Sequence, residues 1–205
     1  MTTALYFVYD SHCPWSYAAT PLVNALKQAH PEMTVHLLHC AHYIGKDCAG
    51  EAQVETVAQI SGLKFGKDHL RYVNSPKSSI ACANLMTWLQ NKQGDKQLDV
   101  LNAIQKAHFV NGNPLDKKHD FNAIIEQFKL SPSNKVFRNE LSIDAETALE
   151  TIAEIQQLIG TSNFPALVMT LNDDAIFIDH SKHLADPQSV VSAVSNEFAA
   201  IQANK

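Results

Sequence analysis

Cys13-Pro14-Trp15-Ser16 stands where a short apolar run gives way to a helical pattern. Pro14 suits a first helical position, because it lacks the N–H that the first turn leaves unpaired anyway. Cys13 then falls just before the helix, where free N–H donors and a partial positive charge favour a thiolate. The thiolate is the nucleophilic form of cysteine, so this placement predicts a reactive sulfur with a lowered pKa. His12 is placed to add positive charge when protonated, or to act as a base. The Ser16 hydroxyl, one turn along, is placed to donate a hydrogen bond to the sulfur. The competing expectation is an inert cysteine that merely begins a helix, since cysteine is among the most buried residue types.

The other cysteines are Cys40, Cys48 and Cys82. Four scattered cysteines are too few for a disulfide scaffold. Cys40 ends a predicted strand and Cys48 follows in the next loop, so both are expected on the Cys13 side of a sheet. A bridge would need Cα atoms within about 7 Å. Cys82 shares a helical pattern with Ile80, Ala81 and Leu85 and is expected in the core. The chain has ten histidines, and His36, His39, Cys40, His42 and Cys48 cluster along it. Strand alternation puts His36, Cys40 and His42 on one face and His39 on the other. A structural zinc site wants four convergent ligands in paired short spacings. No Cys-x₂-Cys pair exists, so the reading assigns no metal and keeps a non-enzymatic metal- or peptide-binding protein as a second alternative.

These residues need elements to hold them. Leu5–Tyr9 mixes aromatic and β-branched residues and predicts a buried strand. A helix over Pro14–Ala29 follows, with a kink at Pro21 and an end at His30-Pro31. Met33–Cys40 reads as a second strand, completing a βαβ unit with parallel strands and a right-handed crossover. Helical spacing then dominates. Helices are predicted over Glu51–Ser61, Ser78–Gln90, Gln97–Phe109, Phe121–Phe128, Lys135–Glu140 and Asp144–Ile159, with Asp120 and Asp144 as N-caps and Gly160 as a stop. Phe164–Leu171 and Ala175–Ile178 predict a hairpin about an Asn172-Asp173-Asp174 turn. Asp186-Pro187 opens a terminal helix. The fold class is therefore α/β, βαβ…ββα with a large all-helical insertion. Its expected domains are a core of residues 1–45 and 160–205 and an insertion of residues 46–159.

Composition narrows the function. The chain of 205 residues is 45% hydrophobic and 18% charged, a mix that buries a core. A net charge of −5 with no basic run predicts no nucleic-acid or acidic-membrane partner. No apolar stretch reaches the roughly 20 residues that span a bilayer. Met1-Thr2-Thr3 and the short aromatic run after it lack the features of a secretory signal, so a cytoplasmic protein with thiols in a reducing pool is expected.

This order of elements, with Cys-Pro-Trp-Ser after the first strand, resembles the DsbA-like branch of the thioredoxin fold, and within it the FrnE-like disulfide oxidoreductases. Their pattern is an Asp, two residues, then Cys-Pro-Trp-Cys. Asp10-Ser11-His12-Cys13-Pro14-Trp15-Ser16 matches it except at the second cysteine. Asn163-Phe164-Pro165 occupies the place of the family's Gly-Phe-Pro, whose Pro is cis. The resemblance covers essentially the whole chain. It implies that Cys13 is the nucleophile, tuned by His12 and Ser16, that Pro14 and Trp15 flank the substrate, and that Phe164 and Pro165 hold its backbone in a strand-like manner. The helical insertion would roof the site.

Ser16 alters the expected reaction. In a Cys-x-x-Cys site the second thiol releases the substrate from its mixed disulfide. A monothiol CPWS motif needs another thiol, from Cys40, Cys48 or a co-substrate such as glutathione. The reading is thus a thiol-disulfide oxidoreductase or isomerase, with protein or small-molecule thiols as partners and no tightly bound cofactor. Kappa-class glutathione transferases and 2-hydroxychromene-2-carboxylate isomerases share the architecture and give the alternative. Their site runs Ser-Pro-Tyr-Ser, with the first Ser holding a glutathione thiolate. Ser16-Tyr17 fits that side, whereas Cys13 and the lack of a Trp-Gly-x-Asp-Arg segment do not.

Overall fold

The computed structural model describes residues 3–172 and 174–203. Met1 and Thr2 of the predicted N-terminal reading, Asp173 of the predicted turn, and the last two residues of the core segment lie outside them. Four strands form one sheet: β1 (Thr3–Tyr9), β2 (Thr34–His39), β3 (Ala166–Leu171) and β4 (Asp174–Ile178), in the order β2-β1-β3-β4. The pair β1/β2 is parallel, with Ala4 opposite Thr34 and Tyr9 opposite His39. The pairs β1/β3 and β3/β4 are antiparallel, with Val8 opposite Ala166. β1 is therefore central, and its apolar content follows: Leu5, Phe7, Val8 and Tyr9 are all fully buried.

The helices are α1 (Pro14–Ala29), α2 (Glu51–Ser61), α3 (Lys67–Arg71), α4 (Ile80–Lys92), α5 (Gln97–Gln105), α6 (Asn122–Gln127), α7 (Ile143–Ile159) and α8 (Ser189–Ala203). None among the described residues is long and apolar enough to cross a membrane. Leu5, Phe7 and Tyr9 point into a large core with α1, α4, α5 and α8. Val8, Leu38 and Ala166 point to the other face, where Ile152 of α7 covers them. Strand alternation thus gives β1 two cores at once.

α1 has the expected bounds, with Pro21 inside it. Several other boundaries differ from expectation. The helix predicted over Gln97–Phe109 stops at Gln105 and passes into a π turn, Lys106–Val110, which shifts the register that carries His108 and Phe109. Lys135–Glu140 forms only a 3₁₀ turn over Asn134–Phe137. α3 was not foreseen, being too short to show a period. Asp144 is not the cap of α7: Ser142 is, its hydroxyl accepting the Ala145 N–H at 3.2 Å. Asp120 lies inside a 3₁₀ turn and reaches back to the N–H groups of Asp116 and Lys117. Gly160 does end α7, in the left-handed conformation that glycine adopts freely. The terminal helix starts at Ser189, after Asp186 has taken the Ser189 N–H on its carbonyl.

α3 and the π turn are locked together. A Cβ on Gly66 would lie 1.8 Å from the Val110 carbonyl oxygen. A Cβ on Gly112, whose φ is +70°, would lie 2.6 Å from the Asp68 side chain. Only glycine permits both approaches.

Candidate active site

The turn Asp10-Ser11-His12-Cys13 leaves the end of β1 and closes as the Cys13 N–H donates to the Asp10 carbonyl at 3.1 Å. Cys13 is the last extended residue, φ −86° and ψ 122°, and Pro14 is the first of α1. The Cys13 sulfur faces the N–H groups of Ser16 and Trp15 and the Ser16 hydroxyl. Ser16 is fully buried, and its Oγ already accepts the Asp10 N–H at 3.2 Å. Its own proton is therefore free to reach the sulfur.

The expectation of a lowered Cys13 pKa is overturned. Cys13 is only 4% exposed. Burial pushes its thiol up to about 11, against the opposing Ser16 donors, and nearby Asp10 adds to the rise. The helix start acts in the expected direction but burial outweighs it. Buried in this way, the sulfur is a protonated thiol at neutral pH.

His12 directly precedes Cys13. Its ring is buried and engaged elsewhere. Nε2 lies 2.9 Å from the Pro114 carbonyl, which can only accept, so Nε2 carries the proton. Nδ1 then accepts from the Ser11 hydroxyl at 2.9 Å. His39 Nε2 lies 2.8 Å from Ser11 Oγ and faces the Ser11 N–H at 3.1 Å, while its Nδ1 faces the Ala41 N–H at 3.0 Å. Burial keeps both imidazoles neutral, holding His39 down to about 4 and His12 below its ordinary value despite Asp10 and Pro114.

Asp10 is fully buried and organises the turn. Oδ1 accepts the His12 N–H at 2.8 Å. Oδ2 accepts the His42 N–H at 2.7 Å, the Ser79 hydroxyl at 2.7 Å and the Tyr43 N–H at 3.4 Å. Burial alone would raise this carboxyl. The neighbouring His39 and His12, with hydrogen bonds from the His12 N–H and the Ser79 hydroxyl, hold it below the usual carboxylate range. With the imidazoles neutral near pH 7, the hydrogen bonds carry that stabilisation. Ser79, Tyr43 and His39 were not singled out from the sequence for this site. Asp10 in the motif was the only pointer to them.

The Phe164–Pro165 peptide is cis. The β1/β3 register brings it to the end of the sheet from which the Cys13 turn departs. The Phe164 ring lies 4.9 Å from that of the exposed His42, which also meets Tyr43 at 5.0 Å. Trp15 is half-buried. All four cysteines are free thiols. Cys40 gives its N–H to the Tyr9 carbonyl and packs with Val8, Ala166 and Phe164. It is close enough for Cys13 to act on it electrostatically, and burial raises its thiol. Cys48 lies half-buried in the loop before α2, and Cys82 is fully buried in the main core.

The histidines near β2 scatter to different partners. His36 stacks on Tyr6 at 4.6 Å, His39 bonds Ser11, and His42 meets Phe164. Among the described residues no three His, Cys, Asp or Glu side chains converge as metal ligands.

No family model and no curated protein matches the chain. Solved structures do. The cytosolic disulfide reductase DsbM from Pseudomonas aeruginosa is similar with a TM-score of 0.82 at 18% identity, over 96% of this chain and 99% of that one. A second structure of that reductase, with GSH, gives 0.79 at 19% identity over 96% and 99%. A 2-hydroxychromene-2-carboxylate isomerase gives 0.57 at 15% identity over 97% and 98%. The architecture and these likenesses agree: the chain has the thioredoxin-like α/β fold, with a large helical insertion, of the DsbA-like proteins.

Proposed function

We propose that the protein is a monothiol thiol-disulfide oxidoreductase or isomerase working through Cys13, with glutathione or protein thiols as partners in the cytosol. The observation that carries this reading is the Cys13 sulfur at the start of α1, facing the Ser16 hydroxyl and two N–H donors. The likeness to a cytosolic disulfide reductase, one of whose structures is described with GSH, supports it. Residues 46–159 act as the insertion that roofs the site, over a core of residues 1–45 and 160–205.

Cys13 loses its proton and its thiolate attacks one sulfur of a disulfide. A Cys13–substrate disulfide forms, and the other sulfur leaves as a thiolate. The Ser16 hydroxyl and the Ser16 and Trp15 N–H groups stabilise the Cys13 thiolate before attack and again when it leaves. Phe164 and Pro165 align the substrate backbone, with Pro14 and Trp15 at its side. Ser16 has no sulfur, so a second thiol, such as glutathione, attacks the mixed disulfide and regenerates Cys13. No net electrons stay on the protein.

The test is intact mass spectrometry after incubation with oxidised glutathione. One glutathionyl adduct should form on Cys13, faster as pH rises, and be absent from Cys13→Ala. If wild type takes up none on Cys13 at alkaline pH, the reading fails. Conjugation of glutathione to an electrophile that survives Cys13→Ala would instead establish the kappa-like transferase reading.

A further inference from the structure

Three histidines from three segments meet away from the Cys13 sulfur. His12 belongs to the turn before α1, His69 to α3 and His108 to the π turn. The His12 and His108 ring centroids are 4.0 Å apart, and those of His108 and His69 are 5.0 Å apart. All three side chains are buried, with 2%, 6% and 2% exposure. His108 Nδ1 donates to the Asn113 carbonyl at 2.9 Å, which leaves Nε2 as a lone pair. His69 Nε2 has no hydrogen-bond partner among the described residues, and the His108 backbone is the one hydrogen-bonding group that acts on the ring. His69 and His108 move as one body, because Gly66 and Gly112 lock α3 to the π turn. That body meets the active-site turn through the His12–His108 ring pair and the His12 hydrogen bond to Pro114, and meets α1 through Tyr17, which packs on Phe65 and Phe109.

We propose that this imidazole stack is an acid-released latch, which holds α3 and the π turn against the Cys13 turn at neutral pH and lets go as the histidines take up protons. A charge in the stack would be buried among apolar rings, since Phe65 and Phe109 pack on His69 and Phe109 also on His108. The surrounding charges do not rescue it. Lys77, from the segment before α4, acts against protonation of all three rings. Asp10 and Asp116 favour a charge on His12 alone. Two charged rings 4.0 Å apart would repel.

The direction follows from linkage. Burial lowers all three groups in the closed state, His69 to about 4. In an opened state they return toward the ordinary value of about 6.5. The opened state therefore binds more protons between about 6.5 and about 4, and closure weakens as pH falls through that window. Cys13 directly follows His12 and is itself 4% exposed, so loosening the turn at His12 should raise access to its sulfur.

The test is labelling of Cys13 by a dipyridyl disulfide, a probe that reacts with thiols even in acid. The rate is divided by that of a free cysteine peptide at each pH. It reads access to Cys13 whether or not the protein exchanges disulfides with glutathione, so it stands or falls apart from the proposed activity. The ratio should rise about tenfold from about pH 7.5 to about pH 5, with Cys82 still protected. His108→Phe and His69→Phe, which keep a ring but cannot charge, should keep the ratio at pH 7.5 and flatten the rise. A flat ratio in the wild type, an undiminished rise in both variants, or Cys82 labelling in step with Cys13 would each overturn the latch.

Discussion

At Cys13 two effects of opposite sign meet on one sulfur. The Ser16 and Trp15 donors favour the thiolate, and burial opposes it more strongly. Removing a donor should therefore show plainly. Ser16→Ala should raise the alkylation pKa of Cys13 still further and slow its alkylation at mildly alkaline pH by about tenfold, the scale of one hydrogen bond to a charged group. Ser16→Cys should restore a dithiol site, seen as loss of about 2 Da on oxidation and its recovery on reduction. The placement of Cys13 at the helix start beside Ser16 was legible in the sequence because the interaction is local, within one helical turn. The His12 bond to the Pro114 carbonyl, 102 residues away, could not be read from the motif. The burial that reverses the Cys13 pKa is also a tertiary property, invisible in a four-residue motif. Asp10→Ala should leave buried donors on His12, His42 and Ser79 unpaired and destabilise the fold by about 3 kcal/mol or more in denaturant titration.

At the scale of elements, periodicity located the long helices and the strands, while ends and short pieces escaped it. A cap depends on which nearby side chain reaches the first free N–H, and Ser142 reaches where Asp144, two residues later, is already helical. Ser142→Ala should cost about 1 kcal/mol in thermal or chemical unfolding. α3 and the π turn are set by their mutual contact, not by local pattern. Gly66→Ala would drive a methyl into the Val110 carbonyl. It should destabilise the protein by about 1–3 kcal/mol or more and raise hydrogen exchange in residues 64–72 and 106–112 before that of β1.

The whole molecule carries its acid sensitivity in buried groups. His39 and His69, held to about 4, are neutral when folded and take protons more readily when unfolded. Stability is therefore full above about pH 6.5 and falls toward about pH 4. Asp10, held ionised below the usual 3.8, adds a second loss at still lower pH. Melting temperatures should fall by roughly 5–10 °C from about pH 7.5 to about pH 5. A final consequence belongs to the order of the strands. β1 is made first yet sits in the middle of the sheet, and its partner β3 begins only at Ala166. During synthesis β1 must wait with one edge unpaired while the entire helical segment is translated. A nascent chain stalled before residue 160 should leave its thiols open to labelling and offer that edge to chaperones, and protection should arrive only after β3 and β4 leave the ribosome.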